Sequence, residues 1–177
     1  LSVGRLMMFK PSIAFIKQVL AGFDINLSAT FSPVEQGHLT NDSRMIEQGD
    51  IFCAIIGQAQ DGRQYINTAI ENGASLIISE CEQQAEHGIV STIDSANNQV
   101  LIVSFYQLNN KLFDLASAYY QAPQTKMTMI GITGTNGKTS TSHLLGQILT
   151  QCQSRCAIIG TNGAGIFDNE SDNQSSN

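Results

Sequence analysis

The first clear pattern in the chain is helical. Ile13, Ile16, Val19 and Leu20 recur at helix spacing behind Ser12, and Gly22 ends the run. A serine ahead of such a run and a glycine after it are start and stop signals, so a helix is expected over 12–22. A polar stretch follows, ending in HLTNDSRMIEQGD (38–50), which reads as a short strand entering a turn. The period then changes. IFCAII (51–56) is an unbroken apolar run rich in β-branched residues, bounded by Gly49-Asp50 and by Gly57, and reads as a strand. In DGRQYINTAIENG (61–73), Tyr65, Ile66, Ala69 and Ile70 share one helical face, and Gly73 is placed as a C-cap. ASLIIS (74–79) is the next strand. Strand, loop, helix and strand in so short a span form a βαβ unit, which implies parallel pairing and a right-handed crossover.

QVLIVS (99–104) is a further strand. The stretch 105–120 behind it is amphipathic, with Leu108, Leu112, Leu115 and Tyr119 on one side. QAPQTK (121–126), with its proline, reads as a linker. Then the pattern restarts with a strand MTMIGIT (127–133), a glycine loop, a helix over 138–151 and a strand RCAIIG (155–160). After Phe167 the tail is polar and low in complexity and is expected to be a mobile loop. The chain is thus expected to be α/β, in two units over 1–122 and 123–177. The second unit is too short to close a doubly wound sheet, and a lone βαβ unit leaves edges and apolar faces uncovered. The expectation is a piece of a longer protein.

Composition narrows the chemistry. Of 177 residues, 42% are hydrophobic and 14% charged, which supports a packed core and excludes a disordered chain. The net charge of -6 excludes a broad basic surface for nucleic acid, so any anion must be bound locally, by backbone amides and a few placed cations. Lys10, Pro11 and Lys17 interrupt the opening apolar residues, so neither a signal segment nor a membrane span forms, and the reading is cytoplasmic. Met7 and Met8 are both candidate start residues, with the residues before them then an upstream leader. Cys53, Cys81, Cys152 and Cys156 form no CxxC pair and no zinc spacing, and are expected as buried or half-buried free thiols.

The strongest chemical signal is GITGTNGKTS (131–140), between an apolar run and a helix. Glycines let successive backbone N–H groups converge on an anion, and the helix N-terminus adds partial positive charge. Gly134, Thr135, Asn136, Gly137, Lys138, Thr139 and Ser140 are therefore the candidate nucleotide-binding residues. Lys138 is placed for the β- and γ-phosphates and the Thr139 hydroxyl for Mg2+. The strict Walker A spacing is not met, because Ile132 stands where the first glycine should be and Gly131 is one residue early. The same tetrapeptide, GTNG, recurs at 160–163. There Ala164 and Gly165 follow instead of lysine and threonine, so cation and metal-binding hydroxyl are both missing, and a structural glycine turn is expected.

With TGTNGKTS preceded by NDSR, GDIFCAIIG and DGRQYINTAIENGASLIISE, the chain resembles the Mur ligase family. Within that family it looks most like the type that adds the third amino acid to UDP-N-acetylmuramoyl-L-Ala-D-Glu in peptidoglycan synthesis. The likeness runs from about Leu39 to Phe167. It implies a UDP-substrate α/β domain followed by the start of a P-loop (Rossmann-like) parallel-sheet ATPase domain, with the acceptor domain absent. It further implies ATP and Mg2+ as cofactors, and as partners the UDP-N-acetylmuramoyl-dipeptide and an amino-acid acceptor, meso-diaminopimelate in preference to L-lysine. Asn41 and Ser43 would contact the UDP part, and Gln58, Ala59 and Gln60 its phosphates or uracil. The family commonly shows H-Q-x-D-G where this chain has Gln58-Ala59-Gln60-Asp61-Gly62, so the histidine contact is absent and backbone contacts remain. Lys138 would be the catalytic cation. This stretch alone is expected not to ligate.

Two other classes compete. A phosphate-loop kinase or GTPase should show a base-reading N-K-x-D after the loop, but NKLFD (110–114) precedes it. A non-catalytic module that binds the sugar-nucleotide peptide would not need Lys138. Among the histidines, His143 lies one turn into the phosphate-loop helix, while His38 and His87 carry no partner spacing.

Overall fold

Ser12 starts the first helix as its position predicts. In this computed structural model, which describes residues 11–27, 37–95, 98–161 and 163–167, its hydroxyl accepts from the Phe15 N–H at 3.3 Å. Helix α1 (Ile13–Ala21) buries Ile16, Val19 and Leu20. The leader ahead of Met7 or Met8 and the tail after Phe167 lie outside the described residues. The chain divides into a unit up to Met127 and a unit from Thr128, and each is taken by itself.

The first unit is built on a five-stranded sheet. Strands β1 (Leu39–Thr40), β2 (Ile51–Ala54), β3 (Leu76–Cys81), β4 (Val90–Ser95) and β5 (Asn98–Tyr106) are ordered β1-β2-β3-β5-β4. All neighbours are parallel except β4, which runs antiparallel to β5 with Val90 opposite Val103. Helix α2 (Ile66–Glu71), preceded by a 3-10 turn (Gly62–Tyr65), makes the crossover between β2 and β3. Helix α3 (Leu108–Tyr119) follows β5.

Strand alternation sorts the core into two layers. Ile51, Cys53, Leu76, Ile78, Val103 and Phe105 point to one face and pack with α1 and α3 through Ile16, Leu20, Leu108, Leu115 and Tyr119. Phe52, Ala54, Ile77 and Val100 point to the other, against Ala69 and Ile70 of α2. Strands covered on both faces read as continuous apolar runs, which is why β2, β3 and β5 were legible. Strand β4 was not expected. Its described side chains are mostly exposed, so VSTIDS carries no apolar run, and the β5 backbone supplies what makes it a strand.

Polar bonds fasten the short β1 to the rest. Asp50, 2% exposed, accepts from the N–H groups of His38 (2.6 Å) and Glu47 (2.9 Å). The Tyr119 hydroxyl donates to the Gly37 carbonyl at 2.7 Å, and the Tyr120 hydroxyl accepts from the Leu39 N–H at 3.0 Å. His87, read as having no partner spacing, joins the end of α1 to β5. A carbonyl can only accept, so His87 Nε2 donates to Phe23 O at 2.7 Å, leaving Nδ1 to accept from the Tyr106 N–H at 3.0 Å. Both partners are distant in sequence, so no local pattern marks them.

The second unit contains helix α4 (Lys138–Gln151) and an antiparallel hairpin of β6 (Cys156–Gly160) and β7 (Gly163–Phe167). Two expectations change here. Residues 127–133, expected as a strand, form none. A strand exists by its ladder, and no segment among the described residues pairs with them, so Met129 and Ile130 stay 68% and 56% exposed. The second GTNG, expected as a structural glycine turn, lies where β6 turns into β7, with Gly160 opposite Gly163. Cys152, expected to be buried or half-buried, is exposed at the C-cap of α4. Among the described residues no helix is long and apolar enough to cross a membrane.

Candidate ligand-binding loops

Two loops of the first unit leave the carboxyl ends of the adjacent parallel strands β1 and β2, so topology brings them to one edge of the sheet. The first carries Asn41 and Ser43. Asn41 is exposed, whereas Ser43 is 8% exposed and its carbonyl accepts from Asn72 Nδ2 at 3.0 Å. The second carries Gln58, Ala59 and Gln60, all exposed at the tip. Its stems are narrow: the Gly62 N–H donates to Ile55 O at 2.8 Å and the Gly57 N–H to Gln60 O at 3.0 Å. A Cβ on Gly62 would sit 2.8 Å from Ile55 O, so only glycine permits that approach.

Both loops end in the same device, which was not expected from the sequence. Asp42 accepts from the Arg44 N–H (3.1 Å) and from its guanidinium (2.9 and 2.7 Å), opening the 3-10 turn Ser43–Met45. Asp61 accepts from the Arg63 N–H (2.9 Å) and from its guanidinium (2.7 to 3.0 Å), opening the turn Gly62–Tyr65. Arg63 also reaches Glu82 at 3.1 Å. The signal was present as two Asp-x-Arg triplets, Asp42-Ser43-Arg44 and Asp61-Gly62-Arg63, one in the loop after β1 and one in the loop after β2. The charges are mutually reinforcing. The Arg44 side-chain bond, then its backbone bond, hold the Asp42 carboxyl at about 2 against an ordinary 3.8. Asp61 is lowered in the same way by Arg63, and Arg63 is raised, chiefly by its bond to Asp61. Each arginine is therefore paired with an aspartate of its own loop.

The glycine loop of the second unit is arranged for an anion. Gly137 has φ +76°, a left-handed turn that aims the backbone into the first turn of α4, and Thr141 N–H bonds back to its carbonyl at 2.8 Å. No side chain caps that helix start, and residues 134–140 are all exposed. The free N–H groups and helix dipole there favour negative charge. Lys138 folds back over the loop, donating from Nζ to Gly134 O at 2.6 Å. Thr139 and Ser140 complete the first turn. His143 lies half-buried with its ring edge toward Phe167, centroids 5.9 Å apart. Among the described residues no group of three or more His, Cys, Asp or Glu side chains is placed to hold a metal. Thr139, exposed in the first turn of α4, leaves one hydroxyl at the mouth of the loop.

Comparison with known proteins finds two family matches along the chain. The Mur ligase family catalytic domain matches residues 37–120, and the Mur ligase middle domain matches residues 132–177. A UDP-N-acetylmuramoyl-L-alanyl-D-glutamate--2,6-diaminopimelate ligase of Haemophilus influenzae is 40% identical over 142 residues, covering 80% of this chain and 28% of that protein. The ligase of the same name from Vibrio vulnificus is 43% identical over 127 residues, covering 72% and 24%. A solved structure of a ligase of that name aligns with TM-score 0.50 and 26% identity over 92% of this chain and 30% of its own. UDP-N-acetylmuramoylalanyl-D-glutamyl-2,6-diaminopimelate--D-alanyl-D-alanyl ligase from Acinetobacter baumannii, at TM-score 0.55 and 20% identity, shares the fold. The chain spans less than a third of the length of these relatives. With two domains of one family matched in order over 37–120 and 132–177, the chain belongs to the Mur ligase family.

Proposed function

We propose that this chain supplies the sugar-nucleotide domain, over 1–122, and the opening of the ATPase domain, over 123–177, of a cytoplasmic ATP-dependent ligase. That enzyme would join an amino acid, meso-diaminopimelate in preference to L-lysine, to UDP-N-acetylmuramoyl-L-Ala-D-Glu in peptidoglycan assembly. The observation that carries the reading is the glycine loop at the start of α4. It combines a left-handed Gly137, an uncapped helix N-terminus and a lysine amine 2.6 Å from the loop's own carbonyl. A cation parked on a neutral carbonyl exchanges readily for phosphate oxygens, since charge-assisted bonds are the stronger ones.

In this reading ATP supplies a phosphoryl group to the D-glutamate carboxylate, and the incoming amine displaces phosphate from the resulting acyl phosphate. The protein's part is to position and to neutralise charge. The amides of Gly134 to Ser140 would cradle the phosphates, Lys138 would balance their charge, and the Thr139 hydroxyl would hold the nucleotide's Mg2+, which would add further charge neutralisation. In the first unit the Asn41–Ser43 turn and the exposed Gln58–Ala59–Gln60 tip receive the UDP end. Because Arg44 and Arg63 are held by their own aspartates, recognition there falls to backbone amides and neutral side chains. The test is calorimetric titration of the 177-residue chain with UDP-N-acetylmuramoyl-L-Ala-D-Glu and, separately, with ATP and Mg2+. Saturable binding of both is expected. Binding of ATP alone would sink the sugar-nucleotide assignment for the first unit.

A further inference from the structure

The tip of the Gln58–Gln60 loop stands on a stem whose bonding is unusual. Ile56 and Asp61 face each other as an isolated antiparallel bridge, but the bonds across it belong to their neighbours, Gly62 to Ile55 and Gly57 to Gln60. In such a non-hydrogen-bonded pair, each residue's own N–H and C=O point away from the partner strand. Outward backbone groups need partners elsewhere, and normally a third strand or water provides them. For Ile56 two side chains do. Its N–H donates to Glu80 Oε2 at 2.7 Å, and its C=O accepts from Asn109 Nδ2 at 3.3 Å. Glu80 comes from the end of β3 and Asn109 from the first turn of α3, so two separate elements stand in for one missing strand.

We propose that Glu80 and Asn109 are positioning residues that clamp Ile56, set the conformation of the Gln58–Gln60 tip, and thereby tune its affinity for the pyrophosphate-linked sugar nucleotide. The affinity part rests on the function proposed above; the clamp does not. Glu80 is the telling member, because it places a negative charge beneath a loop assigned to an anion. If the carboxylate had no structural task there, removing its charge would strengthen anion binding. If it is the clamp, removing the acceptor frees the stem and weakens binding. Glutamine in its place keeps an acceptor oxygen without the charge, and so separates the two.

The experiment uses the 177-residue chain and the variants Glu80→Ala, Glu80→Gln and Asn109→Ala, with two readouts. The first is amide hydrogen exchange at Ile56, with Ile78 and Val103 of the core sheet as folding controls. The second is titration with UDP-N-acetylmuramoyl-L-Ala-D-Glu. In Glu80→Ala we expect Ile56 exchange to rise, and affinity to fall, each by about tenfold, the loss of a hydrogen bond to a charged group, while Ile78 and Val103 stay protected. Glu80→Gln is expected to remain within about threefold of the wild type in both, as a neutral bond would allow. Asn109→Ala should shift both in the same direction as Glu80→Ala, by less. Unchanged Ile56 exchange in Glu80→Ala, or affinity equal to or tighter than wild type, overturns the proposal. Should the unaltered chain fail to bind the sugar nucleotide, the substrate assignment falls, and the exchange readout, which needs no ligand, decides the clamp by itself.

Discussion

Lys138 and Asp42 are charged residues with opposite constraints. The Lys138 amine rests on a neutral carbonyl and is exposed, so it is available to a ligand. Replacing it by alanine should lower affinity for ATP and Mg2+ by roughly tenfold to a hundredfold, the range for a lost charge-assisted bond, when followed by calorimetry. The start of α4 should persist, because Gly137 and the Thr141-to-Gly137 bond set it. Asp42, by contrast, accepts three bonds from Arg44. Its carboxyl, held at about 2 rather than 3.8, takes up a proton less readily folded than unfolded. The stabilisation it contributes is therefore complete above the unfolded value of 3.8 and is lost as the pH falls toward about 2. A carbon-detected titration of the Asp42 carboxyl should move up from about 2 toward 3.8 in Arg44→Ala, which removes the side-chain bonds and keeps the backbone one. An unmoved midpoint would show that the Arg44 bonds do not set it. Cys53, whose thiol burial pushes up to about 12, is inert in the same environment that makes it a good core residue.

Among the elements, those whose own residues carry the folding signal were legible. Helix α1 announced itself by Ser12 and the Ile16, Val19, Leu20 stripe, and α3 by Leu108, Leu115 and Tyr119, all of which are buried. Strands β2 and β3 were legible because both faces are covered and every residue in them is apolar or small until the carboxyl end. Strands β4 and β7 were not, since their strand character comes from β5 and β6 across the ladder. The C-terminal end of α3 illustrates how one element holds another. Tyr119 is 2% exposed and donates to Gly37 O, just ahead of the two-residue β1. Tyr119→Phe keeps the ring and leaves that carbonyl without this donor. It should cost about 1 kcal/mol in urea unfolding, the net worth of one half-buried hydrogen bond. A change below about 0.5 kcal/mol, the low end for a net hydrogen bond, would mean that the carbonyl finds another donor.

On the scale of the whole molecule the two units differ in how well they are covered. The first has a sheet packed on both faces by α1, α2 and α3. In the second, Gly146 is the one buried residue of α4, while Leu144, Ile148 and Ile159 are 58%, 49% and 82% exposed. Segments with little buried apolar surface open at low free energy. Hydrogen exchange on this chain should therefore find the α4 amides at least about tenfold faster than those of β3 and β5, equivalent to some 1.4 kcal/mol of opening free energy. Equal protection would refute that reading. For the same reason nucleotide binding should slow exchange in the first turn of α4 before anywhere else.

The sequence by itself determined the local structure whose physics is local: the periods of α1, α2 and α3, the apolar runs of β2, β3 and β5, and the glycine loop that opens α4 at Lys138. What only the tertiary structure decided is where backbone and polar groups find partners far along the chain. It made a strand of VSTIDS and left 127–133 unpaired. It also placed His87 between Phe23 and Tyr106, and set Glu80 and Asn109 on the two outward groups of Ile56. The physical reason is that hydrophobic periodicity is written into successive residues, whereas a hydrogen bond between residues 24 or 53 positions apart, as from Ile56 to Glu80 and to Asn109, is specified only once the sheet has brought them together.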